Sequence, residues 1–196
     1  MNWLAHLFLS EPNGAHRLGN LLGDLVKGKE RQELNSCFQT GIKCHLLIDS
    51  FTDKHLIFRR SKQRINENHR RYSPVLIDVF YDHFLATNWQ KYSQDSLDIF
   101  THEVYDSFYE YWDIIPVFPR MVIHRMMEQD WLGSFYYIYG VEASLKRIRA
   151  KLPFKHQDDF VVNSFLEQLE ANYNELEQDF LEFFPEIIAY LDNQCC

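Results

Sequence analysis

Apolar residues recur along this chain at helical spacing, with polar groups between them. The clearest run is Phe160, Val161, Phe165, Leu169, Tyr173, Leu176, Phe180, Phe183 and Phe184, which predicts an acidic amphipathic helix over about 157–192, with Pro185 kinking it or opening a new short helix. Upstream, the pattern predicts a short apolar helix over about 2–9 and a turn at Glu11-Pro12-Asn13-Gly14. A helix over about 16–28 follows, with Gly19 and Gly23 four apart so that another backbone can approach one face. Further helices fall over about 37–51 and 55–67. Another runs from Ser73 to about Trp89, with Ser73 as its cap and Pro74 at the first helical position. A helix over about 95–112 stops before Ile115-Pro116, Pro119 opens one to about Gln129, and one covers about 133–150.

Four of these apolar segments carry groups that do not belong in a greasy setting. Pro74-Val75-Leu76-Ile77-Asp78-Val79-Phe80-Tyr81-Asp82-His83-Phe84-Leu85-Ala86 is apolar on every side, which marks a buried helix, yet Asp78 and Asp82 share one face. His45 and Asp49 are also four apart in an apolar run, with Asp53 one turn on. Asp24 lies among leucines in Gly19-Asn20-Leu21-Leu22-Gly23-Asp24-Leu25, and His6 lies inside Leu4-Ala5-His6-Leu7. A buried charge requires compensation, from a basic partner or from a metal ion. One such histidine alone reads as a hydrogen-bonded core residue. Four helices directing imidazole or carboxylate inward is how bundle proteins build metal sites. Nitrogen and oxygen donors without thiolate suit Mn²⁺, Mg²⁺, Fe²⁺ or Zn²⁺. Lys27 and Lys43 nearby point to an anionic substrate, whose phosphoryl oxygen such a metal would polarise.

Composition narrows the class. The 196 residues suffice for one domain, and 7 Gly with 6 Pro supply too few turns for a sandwich or barrel. We expect an all-α, single-domain helical bundle over 1–196. A net charge of -8 disfavours nucleic acid as a partner. No stretch approaches the roughly 20 apolar residues of a membrane span, and the N-terminus makes a poor signal peptide. The four cysteines, Cys37, Cys44, Cys195 and Cys196, form no C-x-x-C pair, which fits a reducing, cytoplasmic compartment. Lys54, Arg59, Arg60, Lys62, Arg64, Arg70 and Arg71 form a basic island on this acidic chain, either a solvated helix face or a surface that steers an acidic partner. Lys146, Arg147, Arg149 and Lys151 read as a helix C-terminus complementing its dipole.

Taken in order, Asn2-x-Leu4-Ala5-His6-Leu7, Gly19-Asn20-Leu21-Leu22-x-Asp24, Gly41-Ile42-x-x-His45-x-x-Ile48-Asp49, Thr52-Asp53 and Asp78-Val79-x-x-Asp82-His83-Phe84-Leu85 form a motif series. That series resembles the acyl carrier protein phosphodiesterases, and Gln129-x-Trp131-Leu132 with the aromatic C-terminal helix extends the likeness over nearly the whole chain. The resemblance implies a fold distantly related to HD-domain phosphohydrolases, using Mn²⁺ or a similar divalent ion. It implies hydrolysis of the phosphodiester joining 4′-phosphopantetheine to a serine of holo acyl carrier protein. It makes Asp24, His45, Asp82 and His83 catalytic candidates and His6, Asp24, His45, Asp49, Asp78 and Asp82 metal candidates. With Lys27 and Lys43, it adds Arg59, Arg70 and Arg71 as phosphate-binding candidates. The Asp82-His83 order reverses the usual His-Asp doublet of that parent fold, and Leu46-Leu47 stands where a basic pattern is expected. The competing readings are an HD-like phosphohydrolase acting on a nucleotide or cyclic dinucleotide, and a helical protein that binds metal or ligand without turnover.

Overall fold

The structure, a computed structural model, describes residues 1–194; Cys195 and Cys196 lie outside the described residues. It is built of α-helices and short 3-10 turns, with no strand among the described residues. The helices are α1 (Trp3–Phe8), α2 (Gly14–Leu25), α3 (Glu30–Glu33), α4 (Gln39–Lys54), α5 (Leu56–Arg64), α6 (Ser73–Thr87) and α7 (Leu97–Phe108). They continue as α8 (Val117–Glu128), α9 (Trp131–Ser134), α10 (Ile138–Lys151), α11 (Phe154–Gln157), α12 (Val162–Ala171) and α13 (Tyr173–Asp192).

The differences from the expected boundaries have local causes. α2 starts at Gly14 because the side chain of Asn13 accepts from the backbone N–H of His16, and it ends where Val26 turns extended. Ser73 is the first residue of α6 and not its cap: the 3-10 turn Glu67–Tyr72 runs straight into the helix, so no extended residue precedes it. The predicted helix over 133–150 divides into α9 and α10. The long C-terminal pattern divides at Asn172 into α12 and α13, with α11 before them. α13 passes through Pro185 without a break.

α6 is the central rod. Leu76, Ile77, Val79, Phe80, Phe84 and Leu85 are all buried, and the rings of Phe180, Phe183 and Phe184 from α13 are fully buried beside them. α2 and α4 lie close enough that a side chain at either facing glycine would collide: a Cβ on Gly41 would fall 2.0 Å from the backbone oxygen of His16, and one on Gly19 2.2 Å from that of Phe38. This contact brings the polar edge of α4 beside that of α2.

α5 is fastened to α13 by Asp179, whose carboxylate is fully buried. Asp179 accepts from Arg60 at 2.7 Å, Ser61 at 2.8 Å and Arg64 at 2.7 and 2.9 Å. Burial pushes its pKa up, and the hydrogen bonds from Arg64, Ser61 and Arg60 more than reverse that, holding it below the ordinary value. Arg60 also binds Glu182 at 2.6 Å. Two of the seven cations of the basic island over 54–71, Arg60 and Arg64, therefore serve the α5–α13 joint and are not a free basic surface.

Candidate functional site

α1 is a short helix, and the N–H groups of its second and third residues are received by α6. The carboxylate of Asp82, fully buried, accepts from the backbone of Leu4 at 2.8 Å and Ala5 at 3.2 Å. That cap sets the direction of α1 and so of His6, which is 2% exposed. The tautomer of His6 follows from its neighbours. Asn20 on α2 donates through its amide nitrogen to the His6 carbonyl at 3.1 Å and to Ser10 Oγ at 2.8 Å, so its oxygen faces His6 Nδ1 at 2.9 Å and accepts from it. Nε2 is left as a lone pair. Burial lowers the His6 pKa, which keeps the ring neutral.

That lone pair lies 3.3 Å from Asp49 Oδ1, and it is a buried atom with no hydrogen-bond partner among the described residues. On the other side, His45 Nε2 lies 3.1 Å from Asp49 Oδ2. The His6 and His45 rings stack with centroids 4.4 Å apart. One ligand atom from each of His6, His45 and Asp49 lies within 4.8 Å of the others. Two acceptors turned toward each other across 3.3 Å require a proton or a cation between them. Asp49 is held below its ordinary pKa: burial opposes this, and hydrogen bonding from His45 prevails. Imidazole, imidazole and carboxylate are a donor set for a borderline or hard divalent ion. The residues present therefore fit a divalent metal.

Gly23 makes room for this arrangement. A Cβ there would lie 2.7 Å from His45 Cγ. Gly23→Ala is expected to displace the His45 ring and weaken divalent-metal binding by about 10–100-fold with the helical spectrum retained, the size seen when the support of a ligand is lost. Calorimetric titration with Mn²⁺ checks this, and unchanged affinity would show that the ring position is irrelevant to binding.

The cluster opens into one cleft of about 1150 Å³. Its walls include His6, Asp24, His45, Asp49 and Asp78, with Lys27 at the end of α2. Asp24 accepts from the indole N–H of Trp3 at 2.9 Å. Asp78 lies 2.9 Å from the amino nitrogen of Met1. Phe118, Met121 and Val122 of α8 supply an apolar wall, and Arg125, Lys146, Arg147 and Lys151 a cationic one.

The structure thus brings six of the sequence candidates, His6, Asp24, Lys27, His45, Asp49 and Asp78, into one cleft and leaves others apart. Asp82 is not among the cleft residues; it holds α1 from beneath. His83 donates from Nδ1 to the Phe135 carbonyl at 2.8 Å, and its Nε2 accepts from the Tyr173 hydroxyl at 3.1 Å, away from His6 and His45. Burial lowers its pKa, so it is a neutral tie between α6, α13 and the segment after α9. Lys43, Arg59, Arg70 and Arg71 do not line the cleft; Arg71 is engaged with Asp159 and Tyr72. Of the basic residues that do reach it, Lys27 is a sequence candidate, Arg125 carried no sequence signal, and Lys146, Arg147 and Lys151 are ones the sequence suggested only as a helix terminus. Asn20 is also a functional residue that pattern alone does not reveal, although it stands in the Gly19-Asn20-Leu21-Leu22-x-Asp24 motif.

Comparison with known proteins agrees along the chain. A family model described as acyl carrier protein phosphodiesterase matches residues 1–187. The protein of that name from Serratia proteamaculans is 30% identical, covering 96% of this chain and 96% of its own. One from Escherichia coli O6:H1 is 29% identical, over 96% of each chain. One from Photorhabdus laumondii is 25% identical over 99% of this chain and 96% of its own. No solved structure matches this chain.

Proposed function

The chain belongs to the acyl carrier protein phosphodiesterase family, and from that premise we propose that it hydrolyses the phosphodiester of holo acyl carrier protein, releasing 4′-phosphopantetheine and apo carrier protein. The observation that supports this most is the shared cleft, lined by two imidazoles, three carboxylates and several cations. A phosphodiester carries negative charge, and its hydrolysis asks for stabilisation of further charge on the phosphoryl oxygens.

His6, His45 and Asp49 would hold a divalent ion, with Asp24 and Asp78 beside it, and Mn²⁺ is our first choice over Mg²⁺, Fe²⁺ or Zn²⁺. When bound, such an ion supplies a Lewis acid for the phosphoryl group and lowers the pKa of coordinated water. The chain's own residues do the rest. Asn20 fixes the His6 tautomer so that Nε2 keeps its lone pair toward Asp49. Trp3 steadies Asp24 through one carboxylate oxygen. The other oxygen is available to take a proton from attacking water or to return one to the leaving serine oxygen. The apolar wall of α8 lowers the local dielectric and strengthens these charge interactions. We also read the bundle as distantly HD-like, on its helix-borne imidazole and carboxylate donors, and the protein as cytoplasmic, in keeping with a carrier-protein substrate and a sequence without a C-x-x-C pair. No helix among the described residues is long and apolar enough to cross a membrane.

The test is direct. Purified protein incubated with holo carrier protein and Mn²⁺ is expected to convert it to the apo form, read by mass spectrometry; chelation stops the reaction and Mn²⁺ restores it. Asp24→Ala is expected to reduce release by about 10²–10³-fold, the usual cost of one charged or proton-handling group, with the circular dichroism unchanged. Near-normal turnover of that variant would remove Asp24 from the site, and turnover insensitive to chelation would remove the metal.

A further inference from the structure

The cationic wall of the cleft contains one residue whose environment is unlike that of the others. Arg147 is half-buried on α10, facing the cleft. Its guanidinium carbon lies 4.0 Å from the centroid of the Trp131 ring. Among the described residues no carboxylate forms an ion pair with it, whereas its neighbour Lys146 is paired with Glu142 at 2.6 Å and Arg149 sits 3.9 Å from Asp158. Burial pulls its pKa down to about 10, the mark of a cation removed from water without a counter-charge. An aromatic face compensates part of the charge and orients the planar fork, but it accepts none of the five N–H hydrogen bonds.

The aromatic shelf beneath Arg147 leads to the acid side of the cleft. Trp131 stacks on Trp3 with centroids 5.8 Å apart and planes 18° from parallel. Trp3 in turn donates to Asp24. The ammonium of Lys151 stands 5.4 Å from the Trp3 centroid. One stacked unit therefore connects Asp24 to a half-buried guanidinium that has no ion-pair partner among the described residues. The carboxylates of Asp24, Asp49 and Asp78 in the same cleft would repel an approaching anion, so a built cation opposite them has an electrostatic task.

We propose that Arg147, held on Trp131, is the residue that grips the phosphoryl oxygens of the substrate. The site's ligand is a phosphate mono- or diester anion, taken by the bidentate fork that guanidinium offers to such groups. Lys151 adds charge from the Trp3 side. The inference rests on the hydrolase reading of the cleft for its substrate, but the anion site itself does not depend on turnover.

The test separates the two. Inorganic phosphate and 4′-phosphopantetheine are titrated into the wild-type protein while tryptophan fluorescence is followed, since Trp131 lies directly under the guanidinium. 4′-Phosphopantetheine is expected to bind about 10-fold or more tightly than pantetheine, which lacks the phosphate. In Arg147→Met that preference vanishes and KM for holo carrier protein rises, while Mn²⁺ affinity measured by calorimetry stays unchanged. Arg147→Lys restores charge without the fork and recovers only part of the preference. An Arg147→Met protein that folds, binds Mn²⁺ and still prefers 4′-phosphopantetheine by the wild-type factor would overturn the assignment. If Arg147→Met fails to fold, Arg147→Lys decides: full wild-type preference in that variant rejects the bidentate grip. Absence of turnover in wild type with the phosphate preference intact would instead defeat the hydrolase reading and leave the anion site standing.

Discussion

Asp49→Asn should lower the release of phosphopantetheine by about 10³-fold or more, a larger loss than any other single substitution in the cleft. Asp49 is the one residue that reaches both histidines, at 3.3 Å from His6 and 3.1 Å from His45. Its two oxygens are what make the three side chains a single donor set. The amide keeps the size and loses the charge that favours a dication, and it turns an N–H₂ group toward one of the two rings. His6 Nε2 then faces either the amide N–H₂, a donor, or the uncharged amide oxygen. Metal affinity and kcat should fall together, and thermal stability in chelator should fall slightly, because the ionised Asp49 carboxylate is held by His45. The measurement is single-turnover mass spectrometry alongside Mn²⁺ calorimetry. Retention of both near wild-type values would show that the cluster is a structural histidine pair and that the chemistry lies elsewhere in the cleft.

The largest effect on stability is expected at Asp82. Asp82→Ala leaves the buried N–H groups of Leu4 and Ala5 without an acceptor. At about 1–3 kcal/mol for each unsatisfied buried donor, the variant should lose about 2–6 kcal/mol, read by urea denaturation at fixed pH. Activity should fall with it, since α1 carries His6.

The same group makes stability depend on pH. Burial pushes the Asp82 pKa from its ordinary 3.8 up to about 7, with the N–H groups of Leu4 and Ala5 offsetting part of the rise. The unfolded chain therefore ionises this carboxyl at lower pH than the folded one. Its contribution is fully present below pH 3.8 and is lost as pH rises through about 7. At about 1.4 kcal/mol per pH unit the span corresponds to roughly 4 kcal/mol. Asp82→Asn should flatten that part of the profile when both proteins are compared in chelator. Parallel profiles for the two would show that Asp82 does not titrate in this range.

Asp82 and His83 also show where sequence reading stops. In the chain they carry the same signal as Asp78 and His45: polar groups embedded in an apolar helix, each requiring compensation. The signal states that a partner exists and not which one. For Asp49 the partners are the imidazoles of His6 and His45; for Asp82 they are backbone N–H groups of α1; for His83 they are a carbonyl and the Tyr173 hydroxyl. Spacing along one helix cannot separate these outcomes, because a cap, a core tie and a candidate metal ligand all present the same pattern of a polar group in an apolar run.

The glycines tell the opposite story. Gly19 and Gly23 mark a helix face where something must come close, and the structure supplies Gly41 of α4 against Gly19 and the His45 ring against Gly23. The close approach was legible because only a missing Cβ permits it. Arg147 was not legible at all: in sequence it is one of four cations near a helix end, and its character arises from Trp131, a contact between different helices.

The amino-acid sequence by itself determined an all-helical chain, the apolar faces that bury α6 and α13, and the presence of His6, Asp24, His45, Asp49 and Asp78 in settings that demand a partner. These follow from period, turn scarcity and the cost of burying charge, all local properties. Only the tertiary structure decided which of the demanding groups face one another across the cleft, which are consumed as caps and ties, and which cations are left unpaired. Those outcomes depend on distances between residues far apart in the chain, and such distances are set by packing.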